Sequence, residues 1–188
     1  MQPDAAEAFA QRAPSRLAAV LFDRNDDVDA AVRAFVAFTQ AQGARVAGFV
    51  QEFADIKGSA QHDVWLRDLE TGAQIAIMQD LGAGASGCRL DSAAVAVAAA
   101  RIGRAIAQAP DLIVVNRFGK LECDGGGVLS ELGEAAAQGL PVLVCVPLRF
   151  RQAWDAFAQD LYAPLAPDLA ALKTWWAALS CEPLTLAS

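Results

Sequence analysis

The sequence predicts an α/β domain of three layers, a mostly parallel sheet between helices, with an inserted β-hairpin and two helices towards the C-terminal end. Three observations carry this. Short, wholly apolar runs at Leu17–Phe22, Leu112–Val115 and 142–146 have the character of strands buried on both faces. Segments of helical period separate them, and one stretch at 62–79 alternates apolar and polar residues instead.

The elements follow in order. The run Leu17–Phe22 stops at Asp23. Val28, Ala31, Val32, Phe35 and Phe38 then recur at helical spacing, and Gly43 ends the pattern. Residues 45–51 form the second strand, and strand, helix and strand together make a βαβ unit with a right-handed crossover. In the alternating stretch, Val64 and Leu66 match Ile75 and Ile77 across a turn at Glu70-Thr71-Gly72, a half-exposed hairpin. Residues 80–89 are a glycine-rich loop with Gly82, Gly84 and Gly87.

Asp91 or Ser92 caps the next helix, whose inward stripe is Val95, Ala99, Ile102 and Ile106, with Arg101 and Arg104 on the solvated side. After Leu112–Val115 come Asn116 and Arg117, then Gly125, Gly126 and Gly127 lead into a helix through Leu129, Leu132 and Ala136. Gly139 and Pro141 stop that helix before the strand at 142–146. Trp154, Phe157, Ala158 and Leu161 mark one final helix; Asp168 caps another with Leu169, Leu172, Trp176 and Leu179. No internal repeat or dividing linker appears, so residues 17–188 read as a single domain behind an N-terminal arm, 1–16. In that arm, Ala5, Ala6, Phe9 and Ala10 suit a turn or two of helix.

Composition narrows the function. With 15 basic and 22 acidic residues the formal charge is −7, which argues against nucleic acid and anionic membranes as partners. No apolar run approaches the roughly 20 residues of a membrane span, and the first residues lack a basic secretory n-region, so the expected location is cytoplasmic. Cys88, Cys123, Cys145 and Cys181 form no CxxC pair and read as reduced thiols, Cys145 in the core. His62 is the one histidine, which leaves no His-rich metal site and no Ser-His-Asp set.

Ligands of open α/β sheets gather beyond the carboxyl ends of the strands. Asp23 to Asp27, Gln51 with Glu52, and Asn116 to Lys120 are expected to meet there, with Arg89 closing from the glycine-rich loop. A phosphate loop, GxxxxGK[ST], belongs after the first strand. That connection holds no glycine or lysine but Asp26, Asp27 and Asp29, which suit a helix N-terminus and repel a triphosphate. Arg24 and Asn25 are candidate ligand contacts. From Arg89 to Lys120 there are five basic residues against two acids, and Arg117 offers a planar fork of donors to an oxyanion. Glu122 could act as a base but reads rather as a surface acid.

The strings Pro110 to Glu122 (Pro-Asp-Leu-Ile-Val-Val-Asn-Arg-Phe-Gly-Lys-Leu-Glu), Gly87 to Asp91 and Arg67 to Gly72 (Arg-Asp-Leu-Glu-Thr-Gly) resemble an uncharacterised bacterial domain family whose genes often lie beside molybdate ABC transporters. That family is similar to the small nucleoside-triphosphatases of archaeal and cancer-related type. The resemblance implies a P-loop-like fold and a role in molybdate or tungstate handling. It also implies a Walker B aspartate at position 116 and a glutamate at 117, where this chain has Asn116 and Arg117.

The resulting expectation is a non-hydrolysing, P-loop-like protein, with the question of enzymatic activity left open. It would bind a small oxyanion, such as molybdate or tungstate, through Arg24, Asn25, Gln51, Arg89, Asn116, Arg117 and Lys120. Two alternatives stay open: a divergent nucleoside-triphosphatase or phosphotransferase, and a protein-interaction module. Trp154, Trp175 and Trp176 favour the last, since consecutive tryptophans straddle a helix face and one is available to a homodimer or a molybdenum-pathway partner.

Overall fold

The computed structural model describes residues 14–55, 62–78 and 90–180. Seven strands form one sheet in the order β4-β3-β2-β5-β6-β1-β7. They are β1 (Leu17–Phe22), β2 (Val46–Asp55), β3 (His62–Asp68), β4 (Gln74–Ala76), β5 (Leu112–Val115), β6 (Val142–Pro147) and β7 (Tyr162–Leu165). Strands β2, β5, β6, β1 and β7 run parallel, whereas β3 and β4 are antiparallel additions at one edge. The helices are α1 (Val28–Ala41), α2 (Ser92–Ile106), α3 (Lys120–Cys123), α4 (Leu129–Ala137), α5 (Arg151–Ala158) and α6 (Leu169–Ser180).

The doubly apolar strands are buried because helices cover both faces. Ile113, Val115, Val142 and Val144 pack with Ala98 and Ile102 of α2, Leu132 of α4 and Trp154 of α5. Leu112, Val114, Leu143 and Cys145, one residue out of step, pack with Val32 and Phe35 of α1 and Leu172 and Trp175 of α6. The three-layer reading therefore holds. Cys145 is fully buried, and that burial pushes its thiol pKa far above the ordinary value. No helix among the described residues is long and apolar enough to cross a membrane.

Several details differ from the expectation. The β1-α1-β2 unit is parallel, but β5 and β6 lie between its two strands. A run of sequence fixes direction and not adjacency. The C-terminal part holds two helices with β7 between them, an edge strand paired to β1 alone. Pro164 disguises it, and an edge strand tolerates a proline because one side needs no ladder donor. In α2 the buried set is Ala98, Ile102, Ala105 and Ile106, so the stripe is rotated from Val95 and Ala99. Ala135 rather than Ala136 is buried in α4. Trp175 is buried and Trp176 half-buried; their indole N–H groups donate to Ser15 O at 2.9 Å and Gln42 Oε1 at 3.3 Å.

The expected hairpin forms between the same residues, in the register Leu66 opposite Ile75, with Ile77 N–H donating to Val64 O at 3.2 Å. Its turn is tied inward. Asp68 is 4% exposed; one oxygen accepts from the N–H groups of Glu70 and Thr71, both at 3.0 Å, and the other from Arg101 Nη1 at 2.8 Å. Arg101 is thus bound to the hairpin and does not merely solvate α2. Gly48 lets β2 lie against β5: its φ is +99°, and a Cβ there would run into the Val114 carbonyl.

Burial alone pushes the Asp68 carboxyl up, but the Thr71 N–H, Arg101 and the Glu70 N–H together outweigh it and hold it below the usual carboxylate range. A lowered folded pKa contributes stability that is present above the unfolded value, about 3.9, and lost as pH falls through the folded one. Asp68→Asn is expected to lower the urea midpoint at neutral pH and to flatten the loss of stability below about pH 4. Urea melts of both proteins across that range check this.

Candidate functional site

Beyond the carboxyl ends of β1 and β5 lies the region where a ligand was expected. The loop after β1 is closed by its own acids. Asp26 Oδ2 accepts from Asp23 N–H at 2.7 Å, Asp23 Oδ1 from Arg24 N–H at 2.7 Å, and Asp27 Oδ1 from Ala30 N–H at 3.0 Å. Backbone donors at a strand-to-helix turn attract anions, and here side-chain carboxylates already occupy them. Asp27 is the N-cap of α1.

Asp29, in the first turn of α1, reaches across to the end of β5. Its Oδ1 accepts from Asn116 Nδ2 at 2.8 Å and its Oδ2 from Arg117 Nη2 at 2.6 Å. Side-chain exposure is 14% for Asp29 and 27% for Arg117, so the pair is largely shielded from solvent. The Arg117 guanidinium also lies over the rings of Phe22, at 5.0 Å, and Phe53, at 5.7 Å. The expected pocket of free positive charge is thereby corrected: a carboxylate stands inside it and neutralises Arg117.

The expected residues divide. Gln51, Asn116, Arg117 and Lys120 line one cleft of about 340 Å³ between the ends of β2 and β5, α2 and the segment before α5. Arg24 and Asn25 are exposed on the loop after β1 and do not line it, because β6 separates β1 from β5. Arg89 lies outside the described residues, as do Gly82, Gly84, Gly87 and Cys88. Lys120 is exposed and paired with Asp124 at 3.1 Å. Arg149 also lines the cleft, its guanidinium 4.8 Å from the Phe150 ring centroid. The sequence reading missed it because it follows a strand ending in proline, with no motif around it.

Glu122 is the other correction. It is 8% exposed and no surface acid: Oε2 accepts from Gly119 N–H at 2.8 Å and Oε1 from Val128 N–H at 3.1 Å. It clasps the loop that forms one wall of the cleft. Gly127, at φ +64°, passes so close that a Cβ would strike this carboxylate. The glycine run at 125–127 was the available signal, since such a run beside an acid marks a backbone wrapped around a side chain.

A family model described as "Protein of unknown function (DUF2478)" matches residues 17–175. The chain belongs to this DUF2478 family. It is also 38% identical over 168 residues to the molybdenum import ATP-binding protein ModC 2 of Bradyrhizobium diazoefficiens, a match covering 89% of this chain and 19% of that protein. The chain thus spans about a fifth of that relative's length. In structure, this DUF2478 domain is similar to THEP1 from Aquifex aeolicus, with a TM-score of 0.59, 11% identity, and coverage of 85% of this chain and 94% of that one. It is likewise similar to a human cancer-related nucleoside triphosphatase, with a TM-score of 0.60, 12% identity, and coverage of 89% and 97%. These likenesses show a P-loop NTPase-like fold.

Substitutions at Asp29, Arg117 and Glu122 test the architecture of the site. Asp29→Ala strands both Asn116 Nδ2 and the Arg117 charge and is expected to cost about 2–3 kcal/mol. Adding Arg117→Ala is expected to cost much less than the sum, a coupling visible in a double-mutant cycle. Glu122→Ala leaves two backbone donors unmet and is expected to cost about 2–4 kcal/mol, Glu122→Gln about half of that. Chemical denaturation measures both.

Proposed function

We propose that this DUF2478 domain is a non-hydrolysing, P-loop-like protein that binds an oxyanion group at the mouth of the β2–β5 cleft, in the handling of molybdate or tungstate. The carrying observation is Asp29 between Asn116 and Arg117. If the first glycine of GxxxxGK[ST] is set at Asp23, directly after β1, the second falls at Val28, the lysine at Asp29 and the hydroxyl residue at Ala30. An acid stands where the motif has its lysine, and an amide and a cation stand where the related enzymes carry acids. The charges of a phosphate-and-magnesium site are inverted and joined into an internal pair, which leaves, among the described residues, neither a cradle for a triphosphate nor carboxylates for a metal.

What remains for an anion is the mouth of the cleft, where Lys120 and Arg149 are exposed and Gln51 and Arg117 lie nearby. Lys120 is engaged by Asp124 at the surface alone, a pair that is weak and readily exchanged. The molybdenum connection is supported by the likeness to ModC 2, whose name describes molybdenum import and ATP binding. Within that much longer relative, the region matching this chain is a minor part, consistent with a domain that serves an import ATPase and does not replace it.

Isothermal titration with molybdate, tungstate, sulfate and phosphate is expected to show binding that weakens with salt and falls about tenfold in Lys120→Ala or Arg149→Ala. Incubation with magnesium and ATP or GTP is expected to give no turnover. Absence of heat with every oxyanion would overturn the binding role; turnover abolished by Arg117→Ala would favour a divergent nucleoside-triphosphatase or phosphotransferase instead.

A further inference from the structure

The β2–β5 cleft has an interior and a mouth of opposite chemistry. Phe49 of β2, Leu66 of β3, Ile102 of α2, Val115 of β5, and Phe118 and Val128 from the loops around α3 line the interior. Asn116 and Arg117 add no polar side chain there, because both turn to Asp29 of α1 on the other face of the sheet. Glu122 adds no open carboxylate, since its oxygens accept from the N–H groups of Gly119 and Val128. An ion driven into such a lining would lose its hydration and gain no donors in return. Water there is short of hydrogen-bond partners. Among the described residues no side chain fills the space. Its volume of about 340 Å³ falls in the range of about 300–1,000 Å³ seen for small organic ligands. It equals that of roughly ten waters at about 30 Å³ each.

The mouth carries positive charge. Lys120 and Arg149 belong to the same lining and are exposed. The Arg149 guanidinium lies 4.8 Å from the ring centroid of Phe150, itself a lining residue, which keeps the charge at the rim. Lys120 Nζ meets Asp124 across one helical turn, an exposed pair that exchanges readily. In a chain of formal charge −7, two cations beside an apolar hollow are a local reversal of sign. Apolar depth and a cationic rim together complement a small molecule with hydrocarbon at one end and negative charge at the other.

We propose that the cleft binds an organic monoanion, a carboxylate on an apolar body of about ten non-hydrogen atoms. The body lies against Phe49, Ile102 and Phe118, and the carboxylate meets Lys120 and Arg149. This rests on the reading of the mouth as an oxyanion site and names what bears the anionic group. Isothermal titration of the full chain with acetate, butanoate, hexanoate and octanoate tests it, with molybdate supplying charge alone and octanol an apolar chain alone. Each buried methylene is worth about fourfold in affinity, so octanoate is expected to bind at least about a hundredfold tighter than acetate. It is also expected to bind about tenfold tighter than octanol, and to weaken about tenfold in Lys120→Ala and in Arg149→Ala, both exposed positions.

Two further variants locate the binding. Val95→Trp, at a half-buried lining position of α2, is expected to abolish octanoate binding while the urea midpoint stays near that of the parent. Ala137→Trp, in a separate apolar groove with Leu140, Phe157 and Leu161, is expected to leave binding unchanged. Should Val95→Trp fail to fold, the two charge variants and Ala137→Trp decide. Octanol binding as tightly as octanoate overturns the inference, as does loss of binding in Ala137→Trp with the charge variants unaffected. Acetate or molybdate binding as tightly as octanoate overturns it and leaves the oxyanion reading standing. No binding by any probe removes both.

Discussion

Asp29 projects from the first turn of α1, and its two oxygens take one hydrogen bond from Asn116 and one from Arg117 at the end of β5. That contact joins the helix after the first strand to a strand two places away in the sheet. It also decides what the site offers. A carboxylate held by a guanidinium and an amide, with the guanidinium against two aromatic rings, needs neither a metal nor a phosphate to balance it.

The loop before α1 follows the same logic. Asp23, Asp26 and Asp27 accept from N–H groups of the loop and the first helical turn. Acidic side chains near a helix N-terminus are stabilised by its dipole, and short aspartates reach their own backbone without strain. The acidity of this loop settles its turn.

Two buried acids have structural duties elsewhere, one in the wall of the β2–β5 cleft and one at the hairpin turn. Glu122 clasps Gly119 and Val128, and Asp68 anchors the hairpin turn to Arg101 of α2. Both lie in strings that a motif search would single out, Asn-Arg-Phe-Gly-Lys-Leu-Glu and Asp-Leu-Glu-Thr-Gly. Their specificity comes from backbone geometry: each acid satisfies two N–H groups that the surrounding turn leaves inward.

The sequence by itself determined the layers, because wholly apolar runs need cover on both faces and helical spacing supplies it. It determined the hairpin, through the alternation around Val64, Leu66, Ile75 and Ile77, and the cap at Asp168, while the register and the choice of Asp91 over Ser92 as cap came with the structure. It did not determine which strands touch. Adjacency is set by long-range packing, so β5 and β6 between β1 and β2, and β7 behind its proline, emerged only in three dimensions. The site divided the same way. Asn116, Arg117, Lys120 and Gln51 were legible from their places at strand ends, while Arg24 and Asn25 were set apart by the strand order. That Asp29 neutralises Arg117, and that Glu122 is buried, was decided by tertiary structure alone, since charge in a sequence carries no partner until the chain brings one within hydrogen-bonding distance.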